Sequence, residues 1–169
     1  KSDTVRKAVQ LWLDNEGNYP QLDAAEEYSF YAEKANPIEG DRQKYFQRLS
    51  EGKKPSLGYH LLCLLSKSGT IRSVWTTNFD SLTVKAAYNQ DLSPIEITLE
   101  SQDRLYRTAS HKELLCIALH GDYKYGPMKN SSQELDNQSE IFIDALKNEL
   151  RTRSLIVLGY SGRDNSLMS

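Results

Sequence analysis

Hydrophobic positions change their rhythm partway along this chain. Up to about residue 69 they recur three or four apart. Val5, Ala8, Val9, Trp12 and Leu13 fall at helical spacing behind Ser2, Asp3 and Thr4, all residue types that cap helices. A second helix is predicted over 23–36 and ends before Pro37, whose ring disfavours helical geometry in its predecessor. A third is predicted over 41–49 and stops at Gly52. A fourth begins at Pro55 and Ser56 and carries Leu57, His60, Leu61, Leu64 and Leu65 on one face. Gly69 closes it in a left-handed cap.

From Ile71 onward the apolar residues come in short, near-continuous runs. Residues 71–76, 95–99 (IEITL), 114–119 (LLCIAL) and 154–159 (SLIVLG) read as strands. Helices are predicted over 81–88 and 140–151, and a polar loop over 129–139. Near-continuous apolar strands separated by helices indicate a parallel sheet covered on both faces. In such sheets ligands bind beyond the carboxyl ends of the strands. Three predicted strand ends run into polar turns: TTNFD (76–80), LHGDYKYG (119–126) and LGYSGRD (158–164). All three are expected to meet at one edge of the sheet.

Composition narrows the function. At 169 residues, 38% hydrophobic and 26% charged, the chain suits one soluble domain with a real core. Twenty-one Lys and Arg against 23 Asp and Glu give a net charge of −2, which argues against a nucleic-acid surface. Cys63 and Cys116 lie in apolar runs without a CxxC partner, so buried free thiols in a reducing, cytoplasmic setting are expected. No apolar run approaches the roughly 20 residues of a membrane span, and no secretory leader is visible. The opening on Lys1 and the closing just past a predicted strand suggest a piece of a larger protein.

The polar residues at the strand ends each have a plain structural role open to them. Asp80 suits a helix N-cap, Asn78 a turn, and His120 a turn before Gly121. His60 reads as a hydrogen-bonded core residue and His111 as solvated. Ser161 lacks a GxSxG elbow and an ordered acid–histidine pair, which argues against a hydrolase triad. No His or Cys spacing suggests a metal site.

The stretch PSLGYHLLCLLSKSGTIRSVWTTNFDSLTVKAA, residues 55–87, resembles the sirtuin (SIR2) segment PNxxHxxLxxLxxxGxxxxVxTQNIDxLHxxAG. TTNFD stands where sirtuins have TQNID, and His60 is read as the histidine after PN. LHGD resembles the sirtuin HG, and VLGYSGRD the strand and turn ending in GTS. The variants resemble the SIR2-like domains of bacterial anti-phage defence proteins more than deacylating sirtuins. The sirtuin four-cysteine zinc module is missing, Thr83 replaces a motif histidine, and no GAGxS loop is present. That loop is expected upstream of Lys1, on the first strand.

The resemblance implies an α/β, Rossmann-like doubly wound parallel sheet without its first strand and glycine-rich loop. Residues 1–54 become a helical insert or cap, and 55–169 the NAD-binding core. It implies NAD as substrate and no metal, with Asn78 and His120 as catalytic residues. Thr76, Thr77, Asp80, Gly121, Gly159, Tyr160 and Ser161 are the implied NAD-binding residues. The implied activity is cleavage of the nicotinamide–ribose bond, in the effector domain of an anti-phage defence protein. A fused sensor domain outside this chain and a homo-oligomer are expected, as is poor activity of this segment alone. The alternatives are a non-catalytic module that binds NAD or ADP-ribose in an assembly, and an NAD-dependent protein deacylase. The missing zinc module counts against the deacylase.

Overall fold

The helical rhythm of the first third becomes three helices, α1 (Ser2–Glu16), α2 (Glu27–Ala35) and α3 (Glu39–Ser50). Then follow α4 (Leu57–Lys67), β1 (Ser73–Thr76), α5 (Leu82–Asn89) and β2 (Ser93–Ile97). A 3-10 turn (Gln102–Tyr106), β3 (Glu113–Ala118) and α6 (Glu140–Leu150) complete the order. The computed structural model describes residues 2–16, 19–21, 24, 27–121 and 140–160. The predicted polar loop over 129–139 lies outside the described residues.

The strands form one parallel sheet in the order β1-β3-β2. Ser73 pairs with Leu115 and Thr76 with Ala118 on one side of β3. Ser93 pairs with Glu113 and Ile97 with Ile117 on the other. The central strand is apolar on both faces because both faces are covered. Leu114 and Cys116 join Cys63 of α4, Val84, Ala86 and Ala87 of α5, and Leu92. Leu115 and Ile117 join Ile97, Leu119 and Phe142 of α6 on the opposite face. This is the α/β, Rossmann-like arrangement expected, with helices on both sides of an open parallel sheet.

Three expectations need correction. First, α4 does not dock by its leucines: Leu57, Leu61, Leu64 and Leu65 are exposed, and Cys63 and Ser66 are buried. The helix is apolar on more than one side, so periodicity does not select the inner face. Close packing on Ala86 and Ala87 of α5 favours the small Cys63. Second, α1 buries Gln10 and exposes Val5, Val9 and Trp12. Gln10 donates to Asp14 Oδ1 at 2.9 Å and to the Pro20 carbonyl at 3.0 Å. Spacing tells which residues share a face, but not whether anything covers it.

Third, residues 154–159 form no strand. Leu155, Ile156, Val157 and Leu158 are 55%, 66%, 58% and 67% exposed. An apolar run becomes a strand only where a neighbour offers an open edge. Both edges of β3 are taken, and 154–159 pair with neither outer edge of the sheet.

The two cysteines are free and buried. Burial pushes the Cys63 thiol up, and it pushes Cys116 up to about 12. Since thiolate is the nucleophile, neither should react with iodoacetamide at pH 8 in the native protein, and both should react in denaturant. Cys116 binds its proton more tightly folded than unfolded, so its contribution to stability is complete below pH 9.0 and is lost towards about 12. Rapid native alkylation, read by mass spectrometry, would show that this core opens.

Candidate active site

Parallel pairing sends the carboxyl ends of all three strands to one edge. At the end of β1 the chain bends sharply, and Asn78 donates its backbone N–H to Thr76 Oγ1 at 3.0 Å. Asp80 Oδ1 accepts the backbone N–H of Leu82, the first residue of α5, at 2.9 Å. Asp80 thus holds the first N–H of α5 from one residue before the N-cap Ser81, and its negative charge suits the helix dipole there. Ser81 between them holds a left-handed backbone, φ 51° and ψ 25°. Such strain in a residue with a Cβ persists only where the surroundings enforce it.

At the end of β3 the pairing runs one residue further, with Leu119 N–H donating to the Thr76 carbonyl at 2.9 Å. Gly121 then closes a tight turn by donating to the Ala118 carbonyl at 3.2 Å. Its φ of 79° is a conformation that a side chain would disfavour. His120, inside this turn, is only 6% exposed. Asn78 and His120 each stand two residues beyond a paired position, Thr76 and Ala118. Phe79 bridges the two turns, with its ring centroid 6.4 Å from that of His120. On its other side it meets Phe46 of α3 at 5.1 Å.

A small cavity of about 20 Å³ opens here, lined by Thr76, Asn78, Asp80, Thr98 and Ala118 among others. That is room for about one water. A larger cavity of about 250 Å³ lies elsewhere, lined by Arg72, Trp75, Arg107, Asn148 and Arg153 among others. None of the predicted site residues lines it. Its walls come from the start of β1 and the end of α6, away from the strand ends where the polar turns converge.

The structure thus brings together Thr76, Asn78, Asp80, His120 and Gly121, with Thr77 half-buried in the same turn. It does not bring Gly159 and Tyr160 to the end of a sheet strand, since 154–160 lie outside the sheet; Gly159 is exposed with φ 65°. Ser161, residues 122–126 and residues 161–164 lie outside the described residues. Among the described residues no group of three or more His, Cys, Asp or Glu is placed to hold a metal ion.

Three neighbours were not anticipated. Thr98, just past β2, is buried and receives no signal in the sequence beyond ending an apolar run. Phe79 sits within TTNFD but gives no polar cue. Tyr59 had a signal. Asn78 donates from Nδ2 to its hydroxyl at 3.4 Å, whereas His60 turns its Nδ1 to Gln90 Nε2 at 3.4 Å. Counted without gaps from TTNFD back to Pro55, the motif histidine falls on Tyr59, and its assignment to His60 is out of register. Burial pushes the Tyr59 phenol above its usual range, the Asp80 charge adds to that, and the Asn78 hydrogen bond opposes it.

Against known proteins, residues 72–169 match the family described as the SIR2-like domain. No curated protein matches the chain. The match spans β1 with its turn, β2, β3 and α6, and so contains every predicted site residue.

The cap on α5 is separable from chemistry. Asp80→Ala should destabilise the protein by about 1 kcal/mol, and Asp80→Asn, which keeps an acceptor, by much less. Equal loss in both variants on thermal melting would mean that Asp80 acts mainly through its charge.

Proposed function

The chain belongs to the SIR2-like family, a sirtuin-related NAD-binding fold, and from that membership we propose that it hydrolyses NAD to nicotinamide and ADP-ribose. The observation that carries the proposal is the pairing of β1 with β3. It sets Asn78 and His120 the same distance past Thr76 and Ala118, joined by the Phe79 ring.

The chemistry suits these residue types. NAD brings a glycosidic bond whose leaving ring is already cationic, so that ring departs neutral. Ordinary glycoside cleavage needs a carboxylic acid to protonate the leaving group; here none is required. Asp80 is accordingly committed to the Leu82 amide. What the site must do is orient a water about 3–3.5 Å from the anomeric carbon and take up its proton. The Asn78 amide orients without adding charge. The His120 imidazole belongs to the side-chain class that exchanges protons near neutral pH. Thr76 and the tight turn at Gly121 hold the two groups in one frame.

The fit covers the glycosidic end of the substrate. Following the resemblance, we assign the domain as the cytoplasmic, homo-oligomeric effector of an anti-phage defence protein whose sensor is a separate domain. One observation favours a second reading, a non-catalytic NAD- or ADP-ribose-binding assembly module: the apolar run 155–158 is exposed.

Incubating the full-length protein with NAD decides between them. Nicotinamide and ADP-ribose should accumulate, and Asn78→Ala and His120→Ala should each lower the rate by about 10²–10⁴ in a protein that still folds. Binding without products would favour the assembly module. Neither binding nor products would overturn both readings.

A further inference from the structure

Tyr59 stands in the first turn of α4 with its ring packed against the Cys63, Val84 and Leu114 cluster. Its hydroxyl reaches out of that cluster to Asn78 Nδ2, 3.4 Å away. On the same phenol acts the negative charge of Asp80, two residues further along the turn. The phenol oxygen therefore accepts from the Asn78 amide while the Asp80 charge helps to keep its proton bound.

That geometry has a chemical consequence at Asn78. A side-chain amide has two unlike ends, an NH2 that only donates and an oxygen that only accepts. With Nδ2 turned to the phenol, Oδ1 is the end not engaged by that contact, and Asn78 is one of the residues that line the small cavity. An acceptor holds a water by one of its O–H bonds and leaves the water's lone pairs directed elsewhere. A donor in the same place would engage a lone pair and blunt the water as a nucleophile. The backbone of Asn78 is tied separately, through its N–H to Thr76 Oγ1 at 3.0 Å. The tyrosine contact therefore decides which way the amide faces, while the turn itself is set elsewhere.

We propose that Tyr59 is a positioning residue that orients the Asn78 amide, so that Oδ1 and not Nδ2 addresses the water placed for attack. This rests on the NAD-cleavage reading, and it adds a residue from outside the matched segment 72–169 to the site.

Tyr59→Phe keeps the ring in its cluster and removes only the oxygen. In the full-length protein kcat should fall about tenfold, the size of one neutral hydrogen bond, with KM and melting temperature little changed. Placed on Asn78→Ala, Tyr59→Phe should cost nothing further, because its effect passes through the amide. One readout needs no turnover: the side-chain amide NMR signals of Asn78 should shift in Tyr59→Phe. Unshifted amide signals, or an equal loss of rate in both backgrounds, would overturn the proposal. A wild-type protein that releases no nicotinamide would instead sink the NAD-cleavage reading, and the catalytic part of this proposal with it. The amide spectrum would still settle whether Tyr59 holds Asn78.

Discussion

Parallel pairing on both sides of β3 is the constraint from which the site follows. A parallel strand has its carboxyl end where its neighbours have theirs, so the turns after β1, β2 and β3 share one edge. The register then matches Thr76 with Ala118, and every residue beyond them inherits that alignment. The pairing is secured by burial. Leu114 through Ile117 all lie in the core, alternating between the two helical layers. Slipping the register by one residue would exchange the two faces of β3 and move His120 relative to Asn78.

Several residues at that edge serve the backbone as well as the cleft. Thr76 Oγ1 shapes the bend that displays Asn78, and Asp80 closes the start of α5. The left-handed backbones of Ser81 and Gly121 flank the two turns. Conformations of this kind cost of order 1 kcal/mol or more in residues other than glycine and survive only where packing over-determines them. Phe79, between Phe46 and His120, supplies that packing from the helical first third of the chain. Residues 39–50 are thereby in ring contact with the turn that carries Asn78, so the helical segment is not merely appended to the sheet.

Much of this was legible in the sequence, and the misses have physical causes. The near-continuous apolar run marked β3, because a strand buried on both faces has no polar side to show. The polar turns after the strands stood out for the opposite reason. The inner face of α4 was misjudged since Leu and Cys both read as apolar, while only the shape of α5 makes the small one preferable. Residues 154–159 had the composition of a strand but pair with neither outer edge of the sheet, and composition does not report a neighbour. Tyr59 escaped because a tyrosine in an apolar helix looks like core. Its ring is indeed core, and only its oxygen belongs to the site.

The distribution of commitments at the edge also argues about the kind of chemistry it suits. A carboxylate poised as a general acid needs to be turned to the ligand and kept protonated by an apolar pocket. Asp80 instead accepts the first backbone N–H of α5. The cysteines are no nucleophiles either, since burial holds both thiols protonated. Among the described residues the edge also carries an amide in contact with a phenol and an imidazole beside Phe79. Such a pair is poorly suited to expelling a basic leaving group and well suited to ordering a water beside one that departs on its own. Under the proposed NAD cleavage, that asymmetry matches a substrate whose glycosidic bond is already activated.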